Sequence, residues 1–197
     1  MKITFGFAAH SGWAALVVLA GSLEKPEVID RRRVELVQEA WAKAPYHAAE
    51  ELESVEANKL VRLGVQAAHK NARQQMKDLI KWSEKNDYDL AGCAVLLGTP
   101  LPAWSTDEIL AVHFRMHKAE GALFREALAG AAESSGVKLL RVPEKELNEY
   151  AVKTLALPFL KIQNKLTQMG KVLGPPWRKD QKDATLAAMI ALHGKPL

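Results

Sequence analysis

Asp180-Gln-Lys-Asp183-Ala-Thr-Leu-Ala-Ala-Met-Ile-Ala-Leu192 begins with two acidic side chains three residues apart and continues as an apolar helix. An aspartate at a helix start accepts from free backbone N–H groups and meets the positive end of the helix dipole. The i,i+3 spacing also points both carboxylates the same way, as a helix must to offer oxygen ligands to Mg²⁺. The stretch therefore reads either as plain helix chemistry or as half of a metal-dependent site, and its surroundings decide between them.

Immediately before it, Gly174-Pro-Pro-Trp177-Arg178-Lys179 reads as a stiff loop. Trp177 could stack on a base while Arg178 and Lys179 meet phosphate, or it could pack back and anchor the loop. Basic residues concentrate here: Lys138 to Lys182 holds ten Lys or Arg against four acids. That balance suits a nucleic acid or another phosphate-bearing partner, and equally a solvated helix face. The whole chain has 197 residues, a net charge of +4 and 48% hydrophobic residues, which fits one globular domain over 1–197. The lone Cys93 excludes a disulfide framework, and it sits in an apolar run as a small core residue. Met1-Lys2 and the apolar residues after it resemble a signal peptide, but Ala9-His10-Ser11-Gly12 interrupts the run. No apolar run reaches the roughly 18 residues of a membrane helix, so the expectation is a cytoplasmic protein with no membrane partner.

Further toward the N-terminus the pattern changes from helical to extended. Lys2 to Ala9 and Trp13 to Ala20 read as a hairpin around His10-Ser11-Gly12, and Glu27 to Val37 as a third strand. Arg31-Arg32-Arg33 beside β-branched residues suits an exposed edge. Helical spacing follows from Ala48 to Glu84, including Leu52, Val55, Leu60, Leu63 and Met76. Asp89 to Gly98 is a buried strand, and Ser105 with Glu108 caps a helix from about Asp107 to Ser134. Gly136 to Val142 is a fifth strand, helical patterns fill Glu144 to Val172 with a break near Pro158, and a helix opened by Asp183 ends the chain. The implied architecture is α/β: a mixed five-stranded sheet, with a three-strand antiparallel meander then two parallel strands, and helices on both faces.

This order resembles the ribonuclease H-like fold and, within it, the bacterial Holliday-junction resolvases. Gly6-Phe-Ala-Ala-His-Ser-Gly-Trp13 resembles that family's first hairpin, and Asp180-Gln-Lys-Asp183-Ala-Thr-Leu-Ala187 its last helix. Ala119-Glu120-Gly121 and Gly136-Val-Lys-Leu-Leu-Arg-Val-Pro143 resemble the crossover between the fourth and fifth strands. The resemblance implies acids at the ends of the first strand, the fourth strand and the last helix, holding two metal ions about 4 Å apart. Here the first-strand position is Ala8 and the fourth strand carries Ala94-Val95-Leu96-Leu97, leaving only Asp180 and Asp183 as candidate catalytic acids. The expectation is a ribonuclease H-like binding or interaction module rather than a working two-metal nuclease.

Two alternatives stay open. His113-Phe-Arg-Met-His117-Lys-Ala-Glu120 places two imidazoles and a carboxylate on one helix face, a set that could bind a divalent metal or could simply hydrogen-bond to its neighbours. The His-Glu-x-x-His protease pattern is absent, because Phe114 follows His113. If the strands end as the topology implies, His10, Ser11 and Thr99 meet Asp180 and Asp183, with His113, His117 and Glu120 approaching from the neighbouring helix. That pocket would make a metal-dependent enzyme; rearranged ligands would make a nuclease on structured nucleic acid. Ser11 lacks the Gly-x-Ser-x-Gly elbow of a serine hydrolase, and Gly6, Gly12 and Gly21 match neither nucleotide-binding fingerprint. Pro45-Tyr46-His47 reads as an exposed loop, and the long helices offer a surface for a homodimer.

Overall fold

The computed structural model describes residues 1–194. Strands β1 (Lys2–His10) and β2 (Trp13–Gly21) pair antiparallel, with His10 opposite Trp13, so Ser11 and Gly12 form a two-residue turn. Gly12 has φ +83°, the left-handed region that such a turn requires and that glycine enters without strain. Strand β3 (Pro26–Glu35) pairs antiparallel with β2 and lies at the sheet edge, where its arginines are partly or fully exposed. Strands β4 (Asp89–Leu97) and β5 (Leu139–Pro143) continue parallel beyond β1, giving the order β3-β2-β1-β4-β5. The expected meander and parallel pair are both present.

Between β3 and β4 lie α1 (Ala40–Lys43), α2 (Pro45–Ala48) and α3 (Ser54–Lys85). The helix expected to begin at Ala48 thus starts six residues later. Leu52 and Val55, read as part of its apolar stripe, are exposed; the buried stripe is Ala57, Val61, Gly64, Ala68, Ala72, Met76 and Leu79. Small residues dominate that face, so they carried little weight in the hydrophobic pattern while permitting close packing. After β4 come α4 (Thr106–Leu110) and α5 (His113–Ser134), where one helix was expected. The Ser105 capping box is formed, with Glu108 N donating to Ser105 Oγ at 3.2 Å and Ser105 N donating to Glu108 Oε2 at 2.8 Å. The break falls at Val112, whose backbone is extended (φ −141°, ψ 108°) and whose β-branched side chain resists helical geometry. A 3-10 turn, α6 (Leu147–Leu155), α7 (Phe159–Leu173) and α8 (Lys179–His193) complete the described chain.

Two apolar layers sandwich the sheet. Ile3, Phe5 and Phe7 of β1 pack on one side with Met76 of α3 and Phe124 and Leu128 of α5. Alternate residues face the other side, where Ala8, Ala15 and Val17 meet Ala184, Ala187 and Ala188 of α8. Helix α8 approaches β1 closely because Gly6 has no side chain: a Cβ there would lie 1.9 Å from the Ala184 carbonyl oxygen. Thr4 Oγ1 donates to the Ala188 carbonyl at 3.1 Å within this buried contact. Cys93 is fully buried on the α5 side, and burial pushes its thiol up to about 12, which keeps it neutral. Among the described residues, no helix is long and apolar enough to cross a membrane.

Candidate functional site

Parallel pairing of β1 with β4 brings the carboxyl ends of both strands to one edge of the sheet, and α8 starts there against β1. Helix α8 opens at Lys179 rather than Asp183, with the Gln181 side chain accepting from Arg178 N at 3.0 Å. Asp180 therefore lies in the first turn, and Asp183 lies one turn deeper. Neither acid caps the helix. His10 Nε2 lies 3.0 Å from Asp180 Oδ1, and the His10 ring stacks on Trp13 at 4.4 Å and 14°. The Arg33 guanidinium covers Trp13 from 4.1 Å, completing a row of Arg33, Trp13, His10 and Asp180. Asp183 accepts from Lys179 Nζ at 2.5 Å, and this bond is the main cause of the raised lysine pKa. Ser11 lies exposed in the hairpin turn.

A carboxylate-held metal pair does not fit these residues. Ala8 occupies the first-strand position and is packed among alanines, while Ala94, Val95 and Leu96 near the end of β4 are buried and apolar. Asp180 and Asp183 already face His10 and Lys179, so each carboxylate has a nitrogen partner where a cation would otherwise be needed. Among the described residues, the one group of three or more His, Cys, Asp or Glu with metal-like spacing lies elsewhere.

Beside Asp180 is a cavity of about 410 Å³ lined by Trp13, Arg31, Arg32, Arg33, Arg178 and Gln181, among others. Arg31 is committed to the neighbouring loop, donating to the carbonyls of Leu173, Gly174, Pro175 and Pro176 over 2.5–3.3 Å. Trp177 turns back from that loop: Nε1 donates to the Leu166 carbonyl at 2.8 Å, and the ring fills the space left by Gly170. Of the three residues read as nucleic-acid contacts, Trp177 thus anchors the loop and Lys179 is paired, while Arg178 borders the cavity.

His113 and His117 are together at the start of α5, with their Nε2 atoms 3.0 Å apart. Glu120, one turn on, points instead to His47 of α2, accepting from its backbone N at 3.1 Å and lying 2.6 Å from its Nδ1. In the sequence, His47 presents only as part of an exposed loop. Its place depends on α2 docking against α3, where a Cβ on Gly64 would lie 2.5 Å from the Pro45 ring. No local pattern links residues 47 and 113; the Pro45 helix start was the available hint of order there.

The single pocket expected to join these histidines to Asp180 and Asp183 is divided in two. Helix α5 packs on the sheet face carrying Phe5 and Phe7, and α8 on the face carrying Ala8 and Ala15. A chain of charges links the two helices: Arg125 Nη2 lies 2.7 Å from Glu144, Glu144 lies 3.8 Å from Lys179, and Lys179 bonds Asp183. Thr99 belongs to the α5 side, in a cavity of about 570 Å³ that His117, Lys118, Arg125 and Lys145 also line.

No protein-family model matches the chain, and no curated protein matches it in sequence. Among solved structures it is similar to that of Thermus thermophilus RuvC, with 13% identity, a TM-score of 0.52 and 99% of each chain covered. It is also similar to T. thermophilus RuvC in complex with a Holliday junction substrate, with 13% identity, a TM-score of 0.51 and 100% of each chain covered. At this identity the likeness speaks for the fold alone, and that fold is ribonuclease H-like.

Proposed function

We propose that this chain binds structured nucleic acid through the carboxyl edge of its sheet and does not cut it with paired carboxylate-held metals. The observation that carries the reading is the arginine-lined cavity beside an Asp180 already bonded to His10. Arg178 offers a guanidinium group suited to phosphate, Arg33 offers one that also bonds Glu35, and Trp13 supplies an aromatic plane between Arg33 and His10. Support also comes from the fold, since one similar structure is RuvC in complex with a Holliday junction substrate. The basic run from Lys138 to Lys182 adds positive charge to the same third of the chain as Arg178.

Binding of this kind weakens steeply with salt, because each neutralised phosphate releases counterions. Titration of a four-way DNA junction across a salt series tests it. Arg178→Ala and Arg33→Ala are each expected to lower affinity and to reduce the log–log salt slope by about one. No binding of the wild-type chain at low salt would remove the proposal.

A further inference from the structure

His47, His113 and His117 each offer a ligand atom within 4.8 Å of the others. Their ring centroids lie 4.5–5.1 Å apart. Nδ1 of His47 is engaged by Glu120, so its remaining donor atom is Nε2, which is buried and has no hydrogen-bond partner. A buried ring nitrogen without a partner carries a desolvation cost that a bound ion would remove. Nδ1 of His113 lies 3.3 Å from Glu50 Oε1, which leaves its Nε2 facing Nε2 of His117. A shared imidazole hydrogen bond accounts for that second pair but does nothing for His47.

We propose that these three histidines form a binding site for a divalent transition-metal ion of the zinc class, using Nε2 of each ring. Three imidazoles are a ligand set such ions accept, and bonds of 2.0–2.1 Å require nitrogens about 3.3 Å apart in a tetrahedron. The 3.0 Å between His113 and His117 is already close to that value. Small movements of side chains, two of them exposed, complete the geometry. Glu120 and Glu50 act as positioning residues: each bonds an Nδ1–H and sets the tautomer that frees Nε2. His117 needs only to carry its proton on Nδ1. Glu120 is itself 7% exposed and also accepts from the His47 backbone, so it holds that ring by two bonds. Three protein ligands leave a fourth position for water or an anionic oxygen, and His117 also borders the cavity that contains Lys118, Arg125 and Lys145.

This inference is independent of nucleic-acid binding at the other face. The full chain, freed of metal with a chelator and dialysed, is titrated with Zn²⁺ or Co²⁺ alone. Uptake is expected at one ion per chain, with the visible absorption of tetrahedral Co²⁺ and a melting temperature that rises with metal concentration. His47→Gln and His117→Ala should each abolish one-to-one uptake, whereas His193→Gln should leave it unchanged. Glu120→Gln, which keeps size and shape, should weaken binding about 10–100-fold without preventing it. If a histidine variant fails to fold, the Glu120→Gln affinity decides. Absence of stoichiometric uptake by the folded wild type, undiminished uptake in both histidine variants, or unchanged affinity in Glu120→Gln would overturn the proposal.

Discussion

A methyl group on Gly6 would strike the Ala184 carbonyl oxygen, which belongs to backbone and cannot rotate aside. Gly6→Ala is therefore expected to destabilise the fold by at least the about 1–3 kcal/mol typical of overpacking, measured by denaturant unfolding. An unchanged midpoint and slope would mean that α8 lies further from β1. The same close approach explains Ala8. A strand face made of Thr4, Gly6 and Ala8 suits a tightly docked helix, and the missing carboxylate belongs to that packing. At this scale the sequence was partly legible. Asp180 and His10 could be placed together from topology alone, and they do meet. Glu120 was read as a partner of His113 and His117 because helical spacing aligns them, but its bonds go to His47, 73 residues away in sequence. Periodicity describes one helix and carries no information about what docks against it.

Helix boundaries moved where an element's end depends on tertiary contact. The buried face of α3 is built mainly from alanine and glycine, so larger exposed residues such as Val55 misled the periodic pattern. The break before α5 rests on one extended residue, Val112. By contrast, β1, β2 and β4 were legible to within about one residue, since strands covered on both faces read as continuous apolar runs. The loop before α8 is held by Arg31 from the edge strand and by Trp177 from within. Trp177→Ala should cost about 2–3 kcal/mol, below the range for a fully buried tryptophan because the ring is partly exposed. Thermal melting measures this. A loss below about 0.5 kcal/mol would show that Arg31 alone holds the loop.

For the molecule as a whole, acid should be the destabilising direction. Burial lowers the pKa of His69 and of His193, and the Nε2 of His193 has no hydrogen-bond partner. A depressed histidine pKa means that the folded state favours the neutral ring. Stability is then complete above the unfolded value near 6.5 and declines as pH falls through the lower folded values. Replacing both residues with glutamine should flatten the fall in unfolding free energy below about pH 6.5, and an equally steep profile would assign the loss to other groups. The sheet order, legible from the sequence of strands and helices, places two clusters at one edge on opposite faces. One pairs Asp180 and Asp183 with nitrogen cations or imidazole, and the other gathers three histidines. On the proposed function, the first cluster lies at a surface that binds nucleic acid without cleaving it. The most direct test of that function is a labelled four-way DNA junction incubated with the full chain at low salt and with Mg²⁺. A retarded complex that dissociates as salt rises, with all strands intact, is the predicted result. Cleavage that disappears in Asp180→Asn, or no complex at any salt concentration, would contradict it.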